Sequence, residues 1–161
     1  MKKGIFFIFI LILGLLEVTL LNSFKVFGVK PNLLLISISL AGLYFDLKWA
    51  FVLGIFAGIL KDSLGANSFG INVLLFPLWI FLIIELSKKI PIDHNLTRMI
   101  LIFIIGIFNS IITRLIFFVL GGFVTSLAIF LRVTFLESLY TVAILPLMFK
   151  VIKPAIYSVN Q

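Results

Sequence analysis

The sequence predicts an all-α membrane protein, a compact bundle of six transmembrane helices that forms a single integral membrane domain. Hydrophobic residues make up 63% of the chain and charged residues 12%, against roughly 45–50% and 25% in soluble domains. With 161 residues, the chain has room for about six spans of ~20 residues and little else. We therefore expect no soluble domain.

Six apolar segments, separated by short polar or glycine-containing turns, define the predicted spans. They cover residues 4–21, 31–45, 48–64, 71–87, 98–120 and 127–149. The first is expected to be a retained helix and not a signal peptide, because Glu17 interrupts it and no small-residue cleavage pattern follows. Pro31 suits the first turn of the second helix, and Pro77 should kink the fourth.

The basic residues predict the orientation in the membrane. With the N-terminus inside, eight of them fall on the cytoplasmic side: Lys2, Lys3, Lys48, Lys88, Lys89, Arg98, Lys150 and Lys153. Only Lys25 and Lys30 fall outside. Because basic loops are retained in the cytoplasm, both termini are predicted to be cytoplasmic. The same bias explains the net charge of +7 without nucleic acid as a partner.

The third predicted helix carries the most specific local pattern. On a helix, Gly54, Gly58 and Lys61 fall within about 40° of one another, with Asp62 at the edge of this stripe. Small residues four positions apart allow a second backbone to come close. A charge within the hydrocarbon core must face protein or water. We therefore expect the face with the glycines and charges to point into the bundle.

Charged residues also occur well inside four of the predicted spans. They are Glu17, Lys61, Asp62, Arg114, Arg132 and Glu137. At 1.5 Å per residue, they lie about 20–27 Å from the basic residue at the cytoplasmic end of their span. Since the hydrocarbon core is about 30 Å thick, they are predicted to form one buried layer in its outer third.

This buried charge layer allows two interpretations. Intramembrane charges can line a path for a substrate or for protons, or they can form a closed network of ion pairs that fixes the helix packing. Three cations and three anions favour the second interpretation. Asp62 is expected to pair with Arg114, whose depth is closest, and Lys61 with Glu17 or Glu137. An unpaired charge at the bilayer centre would cost about 2.5–3.5 kcal/mol.

No residue pattern points to catalysis. His94 is the only histidine and is expected in a cytoplasmic loop, and the chain contains no cysteine. We therefore predict no enzyme activity, no metal site and no cofactor. Three polar residues within spans, Asn72, Asn109 and Thr113, are expected to form hydrogen bonds between helices.

Two motifs carry a resemblance to a known family. The first is Pro31-Asn32 followed by three leucines, and the second is Gly54-x-x-x-Gly58-x-x-x-Asp62 followed by a turn that ends in Phe69-Gly70. Together with the chain length, the six spans and the basic cytoplasmic ends, these motifs resemble the bacterial rod shape-determining protein MreD family.

The resemblance implies a non-catalytic scaffold subunit of the complex that drives cell elongation and peptidoglycan synthesis, located in the bacterial cytoplasmic membrane. The implied partners are an MreC-like bitopic protein, a RodA-type glycosyltransferase, a class B transpeptidase, an MreB-type cytoskeleton and membrane lipids. The family is also similar in structure to the substrate-binding S-components of energy-coupling-factor vitamin transporters, so the bundle is expected to resemble that fold.

A substrate-binding subunit of a vitamin transporter is therefore the alternative function. In those subunits, small residues spaced by four along the first span provide the coupling to the transporter motor. The first span here contains only Gly4 and Gly14, ten residues apart. This difference favours the scaffold.

Overall fold

The computed structural model of the chain describes residues 3–23, 28–64, 70–90, 94–120 and 126–157. These residues form six helices: α1 (Lys3–Ser23), α2 (Leu33–Tyr44), α3 (Leu47–Leu64), α4 (Ile71–Lys89), α5 (Asn95–Val119) and α6 (Leu127–Tyr157). Each predicted span corresponds to one helix, and α6 extends furthest beyond its predicted end. Lys2, Lys25 and the predicted turn at residues 65–69 lie outside the described residues.

Helix α2 occupies the centre of the bundle. Its residues from Leu33 to Gly42 are all buried, and the helix contacts each of the other five. A helix that is apolar on every side is stable where neighbours cover it all round. The hydroxyls of Ser37 and Ser39 donate to the carbonyl oxygens of Leu33 and Leu35, at 3.0 and 2.8 Å, so both are satisfied within the helix.

Asn32 is the N-cap of α2. Its Oδ1 accepts a hydrogen bond from the backbone N–H of Leu35 at 3.0 Å, which satisfies one of the free donors of the first turn. Pro31 precedes this cap, so the prediction that it occupies the first helical turn is wrong. Because proline lacks a backbone N–H, Pro31 instead lies just outside the helix, where no intrahelical donor is needed.

The other five helices surround α2 in the order α1, α3, α4, α5 and α6. Helix α3 packs most extensively on α4, and α5 packs most extensively on α6. Both pairs are antiparallel, because later residues of the first helix meet earlier residues of the second. The outer surfaces of the surrounding helices carry exposed aliphatic side chains, such as those of Ile8, Ile55, Leu74 and Ile104. An apolar surface of this extent fits contact with lipid.

Among the residues that the structure describes, three helices are long and apolar enough to cross a membrane, namely α4, α5 and α6 as far as Val151. This finding agrees with the predicted class of membrane protein. Helix α2 has only 12 residues and is therefore about 18 Å long, shorter than a hydrocarbon core of ~30 Å. The crossing of the membrane by all six helices stays a prediction, as does the likeness to the S-component fold.

Candidate functional site

The glycines of the third-helix motif bring the backbones of α3 and α4 together. A Cβ atom added at Gly58 would lie 2.6 Å from both the carbonyl oxygen of Asn72 and the Cα of Val73. One added at Gly54 would lie 2.5 Å from the end of the Ile80 side chain. Both glycines are buried. The prediction that this face points into the bundle is confirmed, and its partner is the first half of α4.

Asp62, one turn further along the same face, caps the first turn of α4. Its Oδ1 accepts from the backbone N–H and the side-chain Nδ2 of Asn72, at 3.3 and 2.6 Å. Its Oδ2 accepts from the backbone N–H of Val73 at 3.0 Å. The residue at the N-cap position, Gly70, has no side chain and a left-handed φ of 77°, which favours glycine. The carboxylate of Asp62, on α3, therefore accepts from the free backbone N–H groups in the first turn of α4. An N-cap side chain on α4 itself would otherwise satisfy these groups.

Glu17, Asn32 and Lys61 form a second polar site, called here the Glu17 cluster, where α1, α2 and α3 meet. Glu17 is buried, and its Oε1 accepts from the Nζ of Lys61. Its Oε2 accepts from the backbone N–H of Leu34 at 3.1 Å. Lys61 also donates to Oδ1 of Asn32 at 3.2 Å. The carboxylate thus compensates both a lysine and a free donor in the first turn of α2.

Asn32 extends the Glu17 cluster to the sixth helix. Its backbone N–H donates to the Oγ1 of Thr141 at 2.9 Å, and Thr141 in turn donates to the carbonyl oxygen of Glu137 at 2.7 Å. Through its backbone and its side chain, Asn32 therefore contacts α3 and α6 while it caps α2. This explains why an asparagine follows Pro31 in the first motif.

The third polar site, the Arg114 cluster, lies between α5 and α6 and consists of Ser110, Arg114, Thr134 and Glu137. The Nη2 atom of Arg114 lies 4.0 Å from Oε2 of Glu137. The hydroxyl of Ser110 donates a hydrogen bond to Oε2 of Glu137 at 3.2 Å. Its Oγ also lies 3.4 Å from Oγ1 of Thr134, within hydrogen-bond distance. The guanidinium also lies 5.5 Å from the ring centre of Phe130, within the range of a cation–π contact. Since Glu137 also interacts electrostatically with Lys61, the two clusters are neighbours.

The structure changes the predicted pairing of the charged layer. Lys61 pairs with Glu17, one of the two partners predicted for it. The pairing of Asp62 with Arg114 is wrong, because Asp62 binds the first turn of α4 and Arg114 lies against Glu137. Arg132 also differs from the prediction of burial, since its side chain is exposed. Depth along the helix axis was similar for all these residues, but the helices that carry them are not all adjacent.

Two of the three predicted interhelical polar residues act as expected. Asn72 donates to Asp62, and Oδ1 of Asn109 accepts from the indole Nε1 of Trp79 at 2.9 Å. The prediction for Thr113 is wrong, because its buried hydroxyl has no hydrogen-bond partner within the described part of the chain.

Sequence reasoning missed the polar face of the sixth helix. Thr134, Ser138 and Thr141 are buried and turn toward α5 and α2. Their spacing of three and four residues is typical of one face of a helix. This periodicity could have identified them, since it places small polar side chains opposite Gly106 and Ser110 of α5.

A crevice of about 180 Å³ lies beside the Glu17 cluster. Its lining combines apolar and charged residues from α1, α2, α3 and the connection before α2. They are Gly14, Glu17, Val18, Lys30, Leu34, Lys61 and Leu64. Part of the charged layer therefore borders open space and is not wholly enclosed by protein.

Comparison with known proteins identifies the family. The family model for the rod shape-determining protein MreD matches residues 2–154. No curated protein matches the chain significantly, and neither does any solved structure. The match includes all the motif residues, from Pro31 and Asn32 to Gly54, Gly58, Asp62 and Gly70, for which the geometry above gives a structural reason. The chain belongs to the rod shape-determining protein MreD family.

Proposed function

We propose that the protein is a non-catalytic scaffold subunit of the bacterial cell-elongation complex, where it binds an MreC-like bitopic protein. Its family is one of rod shape determination. The further partners in this proposal are a RodA-type glycosyltransferase, a class B transpeptidase and an MreB-type cytoskeleton. A scaffold acts by holding a fixed surface toward its partners, so its intramembrane polar groups should serve the fixed packing of its own helices.

The observation that carries this proposal is the set of hydrogen bonds that the Asp62 carboxylate accepts from α4. Both oxygens of the carboxylate accept hydrogen bonds from the first turn of α4, and Asn72 adds a third donor. An acidic residue that moves protons or holds a substrate needs a lone pair directed at its ligand. A carboxylate whose two oxygens are engaged by a neighbouring helix instead locks the α3–α4 hairpin.

The alternative function, a vitamin-binding transporter subunit, is less well supported. Pockets for small molecules have volumes of about 300–1,000 Å³. The crevice beside the Glu17 cluster has about 180 Å³, which is small for a vitamin. The size of the crevice therefore favours the scaffold over a vitamin-binding subunit.

Purification from the native membrane in mild detergent tests the scaffold. We expect an MreC-like protein to purify with the wild-type chain, and depletion of the chain to make rod-shaped cells round. Gly58→Leu should lose the partner, because the new side chain would collide with the backbone of α4. Gly4→Leu is the matched control, since nothing lies within 4 Å of a Cβ at that position. Stoichiometric vitamin binding without a shape defect would overturn the proposal.

We further propose a location in the bacterial cytoplasmic membrane with six spans and both termini in the cytoplasm. The support is the bias of eight basic residues against two between the two sides. Reporter fusions after Thr125 and at Gln161 should then report opposite sides of the membrane. If both fusions report the same side, the number of spans is wrong.

A further inference from the structure

We propose that the crevice between α1, α2 and α3 binds the anionic headgroup of a phospholipid through Lys30 and Lys61. The site needs only this chain and is independent of the proposed scaffold function. It is distinct from the Asp62 cap, and its charged groups come from the Glu17 cluster and from the connection between α1 and α2.

The charges that line the crevice are the first support. Two lining residues, Lys30 and Lys61, are cationic, and one, Glu17, is anionic. Both oxygens of Glu17 are engaged, one by Lys61 and one by the N–H of Leu34 at 3.1 Å. Lys30 donates to the backbone carbonyl oxygen of Glu17 at 3.4 Å, a neutral acceptor. Counted over the lining side chains, there is therefore one positive charge more than there are negative charges. Near a low-dielectric interior, this excess favours an anion over a neutral or cationic ligand.

The hydrogen bonds of Lys61 are the second support. An ammonium group carries three N–H donors. Within the described residues, the side chain of Lys61 donates to Glu17 and Asn32, which leaves one donor for a ligand. The side chain is 22% exposed, and Lys61 lines the crevice.

The size and lining of the crevice favour a lipid headgroup over a free phosphate ester. Its volume of about 180 Å³ equals that of roughly six water molecules in the liquid. This is room for a phosphate group with a few attached carbons, not for a whole lipid. Gly14, Val18, Leu34 and Leu64 supply the apolar part of the lining, which suits the glycerol and upper acyl carbons of a lipid.

Native mass spectrometry of the full-length chain purified in detergent tests this site. The probes are phosphatidylglycerol, phosphatidylcholine with the same acyl chains, and glycerol 1-phosphate. We expect phosphatidylglycerol to be retained at higher occupancy than phosphatidylcholine. We expect an equal concentration of glycerol 1-phosphate to leave that occupancy unchanged.

Two variants locate the binding. Lys30→Gln should weaken phosphatidylglycerol binding about fivefold, as expected for one lysine that attracts an anionic lipid. Val18→Phe should weaken it by filling the crevice without any change of charge. Lys48→Gln is the matched control for the lost charge, because Lys48 is exposed at the start of α3, far along the helix from Lys61. It should bind phosphatidylglycerol as the wild type does.

Four results would overturn the proposal. Equal retention of phosphatidylglycerol and phosphatidylcholine would show that the anionic headgroup is not recognised. Equal losses in Lys30→Gln and Lys48→Gln would assign the effect to overall charge. Displacement of the lipid by glycerol 1-phosphate would identify a soluble phosphate ester as the ligand. Unchanged binding by Val18→Phe, in a chain that unfolds like the wild type, would place the lipid elsewhere.

Discussion

The two helix hairpins of the bundle are held together in different ways. Between α3 and α4 the backbones touch, with the Cβ position of Gly58 only 2.6 Å from the backbone of α4. Between α5 and α6, hydroxyl side chains lie at the interface. A Cβ at Gly106 would meet the Oγ of Ser138 at 3.1 Å, an atom that can rotate away. The first interface is therefore intolerant of added atoms, and the second can adjust.

The ion pair that α3 forms with α1 and the ion pair between α5 and α6 also differ, in burial and in distance. The Glu17 carboxylate is 3% exposed where it meets Lys61. Arg114 and Glu137 are 30% and 26% exposed, and the closest N and O atoms are 4.0 Å apart. Removal of one partner from a buried, closely bonded pair leaves a charge without compensation. When Arg114 is lost, by contrast, Glu137 keeps the hydrogen bond from Ser110 and the nearby charge of Lys61. Two pairs that look equivalent in the sequence should thus have unequal effects on stability.

The largest expected difference comes from removing one cation from each pair. Lys61→Met leaves Glu17 buried and should lower the free energy of unfolding by about 3–5 kcal/mol. Arg114→Met should lower it by clearly less, because Arg114 and Glu137 are 4.0 Å apart and Glu137 keeps its hydrogen bond from Ser110. Reversible unfolding in mixed micelles of dodecyl maltoside and sodium dodecyl sulfate measures both values.

The double variant Glu17→Leu with Lys61→Met is the control for this pair. Replacing a whole buried ion pair by apolar side chains of similar volume is often neutral, so most of the lost stability should return. Equal losses for Lys61→Met and Arg114→Met would contradict the distinction between the two regions.

A smaller difference is expected from adding one methyl group to each interface. Gly58→Ala should lower the free energy of unfolding by about 1–3 kcal/mol, because the backbone of α4 must move. Gly106→Ala should change it by less than about 1 kcal/mol, since Ser138 can rotate and alanine favours a helix. The same unfolding assay compares them, with Gly4→Ala as a lipid-side control. A loss at Gly106 as large as that at Gly58 would mean that both hairpins are equally rigid.

The smallest expected effect concerns the cap on α4. Asp62→Ala removes three hydrogen bonds to Asn72 and Val73 and should cost about 0.5–2 kcal/mol, as for other N-caps. Asp62 and Arg114 belong to different hairpins and share no partner among the described residues. The double variant with Arg114→Ala should therefore be additive within about 0.5 kcal/mol. Partial rescue by Arg114→Ala would instead mean that the two residues interact.

The sequence by itself determined the class of the protein, the six helices and the inward face of α3. These features depend on composition and on the period of apolar and small residues, which are properties of neighbouring positions along one chain segment. The burial of Gly54 and Gly58 was predictable for this reason. For Lys61 the sequence left Glu17 and Glu137 as candidate partners, and the structure pairs it with Glu17.

Only the tertiary structure decided the other partners of the charged layer. Helical rise gives the depth of Asp62 and Arg114, but not which helices adjoin or which way each side chain turns about its axis. Nor did the sequence show that backbone N–H groups would be the partners, because the free donors at the start of α2 and α4 become available only where those helices begin. The chain therefore uses Glu17 and Asp62 to bind helix ends, a role set by the arrangement of whole helices in space.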